Sequence, residues 1–119
     1  MSVIRIENMK FYAYHGCFSE EQAIGTRFQV DVAMSTDTSK AQQSDNIDDT
    51  VNYLSVYQVV KREMMIPSHL LEHVADRIGR AVLEAFPAVD SMVVKVSKMN
   101  PPLGGQMDCV SVEIEKSRH

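Results

Sequence analysis

Four side chains in this sequence stand where acid–base or ligand-holding chemistry is possible: Glu21, Tyr53, Glu72 and Lys98. Lys98 opens the run Lys98-Met99-Asn100-Pro101-Pro102, where a strand gives way to a backbone restricted by two prolines. A lysine held in a pocket can give up and recover a proton, which suits it to act as acid or base. The plain alternative is a solvated loop lysine, the commoner state of that residue. Glu72 lies at the margin of an apolar helical stripe, with no lysine or arginine at i±3 or i±4 and with Asp76 at i+4. A carboxylate so placed can take a guanidinium-like edge through two hydrogen bonds; otherwise it is an ordinary exposed helix glutamate. Tyr53 begins a helix, where its ring either packs in the core or stacks on a flat ligand. Glu21 follows Glu20 in a long loop, a position usually occupied by solvated carboxylates.

The histidines raise a different chemistry. His69 and His73 are four residues apart and could face one side of a helix, gripping a metal together with Glu72 or His15. The hydrolytic zinc pattern requires His-Glu-x-x-His, whereas the order here is His69-Leu70-Leu71-Glu72-His73, with the glutamate in the wrong place. The expectation is therefore no metal. Glycine-rich dinucleotide and phosphate loops and the Gly-x-Ser-x-Gly nucleophile elbow are also missing.

These residues must be positioned by elements that the apolar periodicity marks out. Ile4 and Ile6 alternate with Arg5 and Glu7, the period of a half-buried strand that continues towards Phe11. Phe28, Val30, Val32 and Met34 give a second strand; Met92, Val94 and Val96 a third; Val110, Val112 and Ile114 a fourth. Between the first two strands, the segment from Tyr14 to Thr26 is too long for a tight hairpin and reads as a shaped loop carrying Glu21. The stretch from Ser35 to Asn46 reads as a polar connection. Asn52 is placed to cap a helix bearing Tyr53, Val56, Tyr57, Val60 and Met64 on one face, which Pro67 ends. A second helix carries Leu71, Val74, Ala75, Ile78 and Val82 and stops before Pro87. The order strand, strand, helix, helix, strand, strand predicts an α+β fold: an antiparallel four-stranded sheet with two helices on one face. The other face is polar, and two sheet edges are left to be covered, one solution being closure of several copies into a barrel.

Bulk properties agree with one domain over residues 1–119 and restrict its partners. Apolar residues make up 45% and charged residues 24%, as in a folded globular protein. A net charge of -4 without a basic run argues against nucleic acid. No apolar stretch approaches the roughly 20 residues that span a bilayer, and the first residues lack the apolar middle of a signal peptide, so no membrane partner and a cytoplasmic location are expected. Cys17 and Cys109 belong to no Cys-x-x-Cys motif; two free thiols are expected, at least one of them a small buried side chain.

Taken in order, several segments resemble the dihydroneopterin aldolase family over nearly the whole chain. They include Phe11-Tyr12-Ala13-Tyr14-His15-Gly16, Glu20-Glu21, Asp49-Thr50-Val51-Asn52-Tyr53, Leu70-Leu71-Glu72-His73-Val74-Ala75, Lys98-Met99-Asn100-Pro101-Pro102 and Val110-Ser111-Val112-Glu113-Ile114. The resemblance implies a lyase of folate biosynthesis that converts 7,8-dihydroneopterin into 6-hydroxymethyl-7,8-dihydropterin and glycolaldehyde, with neither metal nor other cofactor nor a lysine Schiff base. It implies Lys98 as acid/base and Tyr53 as its partner in moving protons. Glu72 and the backbone of Leu71 hold the amino-pyrimidine edge, and Glu21 lies near the side-chain hydroxyls. It further implies the tunnelling fold, in which four subunits close a barrel and two barrels stack into a homo-octamer with active sites between subunits. The chain departs from the family pattern after Leu103, where Gly104, Gly105, Gln106 and Met107 stand in place of proline, glycine, histidine and an aromatic residue. The alternatives are an epimerase acting on dihydroneopterin or its triphosphate, and a pterin- or purine-binding module without catalysis.

Overall fold

In a computed structural model that describes residues 1–118, the alternating segments become one antiparallel sheet. Its strands are β1 (Ser2–Ala13), β2 (Thr26–Thr36), β3 (Val89–Met99) and β4 (Cys109–Ser117), lying side by side in that order. The apolar members of each alternation share one face. Phe28, Val30, Val32 and Met34 of β2 and Met92, Val94 and Val96 of β3 are almost fully buried there. In β1 the alternation changes phase. Ile6 pairs with Val32 and Met9 with Val30, so Glu7 and Asn8 share the place opposite Asp31 as a β-bulge. Asn8 takes the left-handed conformation at φ 60°, donates its N–H to Asp31 Oδ1 at 2.8 Å and accepts from Gln29 Nε2 at 2.6 Å. After the bulge Met9, Phe11 and Ala13 point inward, which carries the strand past Phe11.

Two long helices cover the apolar face. Before the first, a short α1 (Ser19–Ile24) lies between β1 and β2 and a short α2 (Ser39–Ser44) follows β2. These two correct the expectation of a loop from Tyr14 to Thr26 and of a bare connection from Ser35 to Asn46. Neither buries a residue, so neither shows the apolar period by which a helix is recognised in sequence. The long helices are α3 (Tyr53–Met64) and α4 (Leu71–Ala85). Asn52 caps α3 as expected, its Oδ1 accepting the Leu54 N–H at 3.0 Å. Val56, Val60 and Met64 of α3 and Val74, Ala75, Ile78 and Val82 of α4 complete the core. Gly79 lets α4 lie close on β4, for a Cβ there would stand 2.7 Å from Lys116 Cγ.

The opposite face of the sheet is polar, as expected. Arg5, Glu7, Asp31, Lys95 and Glu113 line an open trough of about 580 Å³, and the outer sides of β1 and β4 are free edges. Neither free cysteine is buried, contrary to expectation: Cys17 lies in the turn before α1, and Cys109 opens the edge strand β4. Among the described residues, no helix is long and apolar enough to cross a membrane.

Candidate active site

Strand alternation places Lys98. It continues the phase of Met92, Val94 and Val96, so its side chain emerges on the helix-covered face, beside Phe28 of β2 and Val110 of β4. There Lys98 Nζ donates to Glu21 Oε2 at 2.6 Å. The two side chains are only 13% and 17% exposed. Lys98 Nζ is also 6.0 Å from the centre of the Phe28 ring, the outer limit of a cation–π contact. The hydrogen bond from Lys98 is the chief reason the Glu21 carboxyl titrates below its ordinary range. Lys98 therefore holds a charged carboxylate next to its own ammonium, ready for exchange with a polar ligand.

Glu21 reaches Lys98 because α1 and the turn before it are tied down. Gly16 is packed so closely on Glu21 that a Cβ there would come within 2.6 Å of three of its side-chain atoms. Gly16 N–H donates to Ser68 O at 2.9 Å, and Gln22 Nε2 donates to Gly16 O at 3.0 Å.

Glu21, Leu71, Glu72 and Lys98 line one cavity of about 380 Å³, closed further by Pro101 and Val110. That volume lies within the range of small-molecule sites, about 300–1,000 Å³. Leu71 and Glu72 form the first turn of α4, so their N–H groups precede the first intrahelical bonds and are free to meet a ligand. The Glu72 carboxylate is exposed at the rim. Phe18, Leu70 and Leu103 are exposed apolar side chains around the mouth, suited to cover a flat ring. The trough on the far sheet face is larger, but it is an open surface dominated by charged side chains of the sheet and includes no helix start.

Tyr53 is not brought into this cavity. It opens α3, 64% exposed, and lines no part of the Lys98 site of its own chain. His69 and His73 are engaged separately: His69 Nδ1 lies 3.0 Å from Gln22 Nε2, and His73 Nδ1 lies 2.8 Å from Ser68 Oγ. Among the described residues, no three His, Cys, Asp or Glu side chains group as metal ligands.

His15, given no role in the sequence beyond a possible metal ligand, is one of the most buried polar residues, 1% exposed. Its Nδ1 accepts the Ser68 N–H at 3.0 Å, and its ring meets Phe28 edge-on with centroids 5.0 Å apart. Burial first, then the charge of Arg77, lowers its pKa to about 4. The sequence signal for Lys98 was its place at a strand end before Pro101-Pro102; no comparable signal pairs His15 with Ser68.

The fold matches enzymes of known structure. The Escherichia coli dihydroneopterin aldolase, solved in complex with neopterin, superposes with a TM-score of 0.91 at 25% identity, covering 98% of this chain and 100% of that one. The dihydroneopterin aldolase of Bacillus subtilis (strain 168) is 40% identical over 119 residues, 99% of each chain. That of Staphylococcus epidermidis is 42% identical, over 94% of this chain and 93% of the relative. These are carbon–carbon lyases. The family model for dihydroneopterin aldolase (FolB) matches residues 4–115, and the chain belongs to that family.

Proposed function

We propose that this protein cleaves 7,8-dihydroneopterin by a retro-aldol reaction, releasing 6-hydroxymethyl-7,8-dihydropterin and glycolaldehyde for folate biosynthesis. The observation that carries this reading is the union in one cavity of Lys98, Glu21 and the Leu71–Glu72 helix start. The Glu72 carboxylate takes the amino-pyrimidine edge of the pterin through two hydrogen bonds, with the backbone of Leu71 alongside. That orientation carries the side chain at the other end of the ring towards Lys98 and Glu21. Loss of a proton from the side-chain hydroxyl breaks the neighbouring carbon–carbon bond, and the ring imine beside that bond accepts the electron pair. The electron sink is in the substrate, so Lys98 needs to act only as acid and base. Glu21 gives up its bond to Lys98 and meets the side-chain hydroxyls. Reprotonation of the carbon completes the hydroxymethyl product.

Tyr53 belongs to this chemistry through assembly. The free edges of β1 and β4 join neighbouring copies, four chains close a barrel, and two barrels stack as an octamer. Tyr53 of one chain then meets Lys98 of another. Support comes from the exposure of Tyr53 at the start of α3, outside the cavity of its own chain.

The test is to incubate chelator-treated protein with 7,8-dihydroneopterin and follow the products chromatographically. Equimolar hydroxymethyl-dihydropterin and glycolaldehyde are expected. A side-chain epimer alone would make the protein an epimerase, and binding without turnover would make it a pterin-binding module.

A further inference from the structure

The walls of the Lys98 cavity come from three separate stretches of chain; one buried imidazole adjoins the lining residues of the first, meets the second through Phe28 and bonds the third near Ser68. The first stretch is the end of β1 with α1. His15 belongs to it, and the next residue, Gly16, packs directly on Glu21. The second is residues 98–112, reached through Phe28 of β2, which pairs with Lys98 across the sheet and receives the edge of the His15 ring. The third is the α3–α4 connection, where Ser68 precedes the Leu71–Glu72 rim. Here the contact is a two-point clamp: Ser68 N–H donates to His15 Nδ1 at 3.0 Å, and Ser68 O accepts from Gly16 N–H at 2.9 Å. Ser68 is fixed in turn by Arg77, whose Nη2 donates to its Oγ at 2.9 Å and to Ile66 O at 2.7 Å.

We propose that His15 is a positioning residue for the reaction: as a neutral acceptor at Nδ1, it locks the α3–α4 connection to the β1 end and so holds Glu21 and Lys98 at the right distance from the Leu71–Glu72 rim. The assignment rests on the aldolase reading for its kinetic consequence but not for its geometry. A hydrogen bond from a backbone N–H demands an unprotonated Nδ1, so the ring is the Nε2–H tautomer. The Met64 carbonyl nearby favours a proton on the other ring nitrogen, which leaves Nδ1 to accept the Ser68 N–H. A ring with no acceptor would strand the buried Ser68 N–H and release the clamp.

Two substitutions separate acceptor from volume. His15→Phe keeps a ring and removes the acceptor, whereas His15→Asn places an amide oxygen near the position of Nδ1. For dihydroneopterin cleavage, His15→Phe is expected to lower kcat roughly tenfold or more with KM changed less than about threefold, because small misplacements of reacting groups weigh on the chemical step. His15→Asn is expected to recover kcat to within about threefold of the parent protein. A second readout needs no turnover: carbon-13 NMR titration of the Glu21 carboxyl, lowered by Lys98, should move up towards the ordinary glutamate range in His15→Phe and stay low in His15→Asn. If His15→Phe does not fold, His15→Gln replaces it, its oxygen falling nearer the position of Nε2 than of Nδ1. The proposal is overturned if the acceptor-free variant keeps both kcat and the Glu21 titration while losing only thermal stability. It is equally overturned if His15→Asn fails as badly as His15→Phe. If the parent protein does not cleave the pterin, the aldolase reading falls, and the Glu21 titration still decides the role of His15.

Discussion

Lys98, Glu21 and Glu72 divide the chemistry by their surroundings. Lys98 and Glu21 are mostly buried and joined at 2.6 Å, whereas Glu72 is exposed at the rim. Replacing Lys98 with alanine should therefore leave pterin binding largely intact and lower turnover by about 10²–10⁴, the usual share of a general acid–base. Equal loss of both, read by fluorescence titration and steady-state kinetics, would remove Lys98 from the acid/base role. Glu72→Ala should weaken pterin binding about 10- to 100-fold, the effect of losing hydrogen bonds to a charged group, with kcat at saturation changed far less. His15 makes a prediction about pH. Its pKa is about 4 in the folded protein and about 6.5 when exposed, so the unfolded chain takes up its proton first. Stability contributed by the neutral ring is complete above pH 6.5, falls as the pH drops below that, and is exhausted near pH 4, for a total of about 3 kcal/mol. Urea unfolding at pH 7 and at pH 4.5 should show this acid loss in the parent protein and a much smaller one in His15→Asn. The carboxylates and the other histidines titrate in both proteins, so the difference isolates the His15 imidazole.

The elements serve the site through their ends. Lys98 lies near the end of β3, Glu21 in the first turn of α1, and Leu71 and Glu72 in the first turn of α4. A short helix that buries nothing cannot hold Glu21 on its own strength. The close contact of Gly16, which donates to Ser68 O and accepts from Gln22 Nε2, holds it instead. Gly16→Ala tests this support directly, because the added Cβ must displace the Glu21 side chain. It should lower kcat about tenfold, and the Glu21 carboxyl should titrate closer to its ordinary value as its bond to Lys98 lengthens. An unchanged carboxyl titration would show that the helix adjusts without moving the site.

For the whole molecule, the decisive fact is that Tyr53 lies outside the cavity formed by its own chain. If Tyr53 and Lys98 of one site come from different chains, inactive Tyr53→Phe and Lys98→Ala proteins should complement each other. Random reassembly of equal amounts would restore about a quarter of the sites, since each needs one intact contribution from each of two chains. No recovery after confirmed subunit exchange would place both residues in one chain's site. Much of this organisation is legible in the sequence, for local physical reasons. Alternation at Phe28–Met34 and Met92–Val96 defines strands, the Asn52 cap and the Val56–Val60–Met64 face define α3, and the place of Lys98 at a strand end before Pro101-Pro102 singles it out. The ordered family segments add the activity that those periodicities alone do not specify. Helix α1 was hidden because it has no buried face, and the β1 bulge was hidden because Glu7 and Asn8 differ from an ordinary exposed pair only in their pairing with β2. The Lys98–Glu21 bond and the His15–Ser68 clamp join residues 77 and 53 positions apart. Sequence determines the local propensities and the residue types available, but only the packed chain decides which distant polar groups lose water together and must satisfy one another.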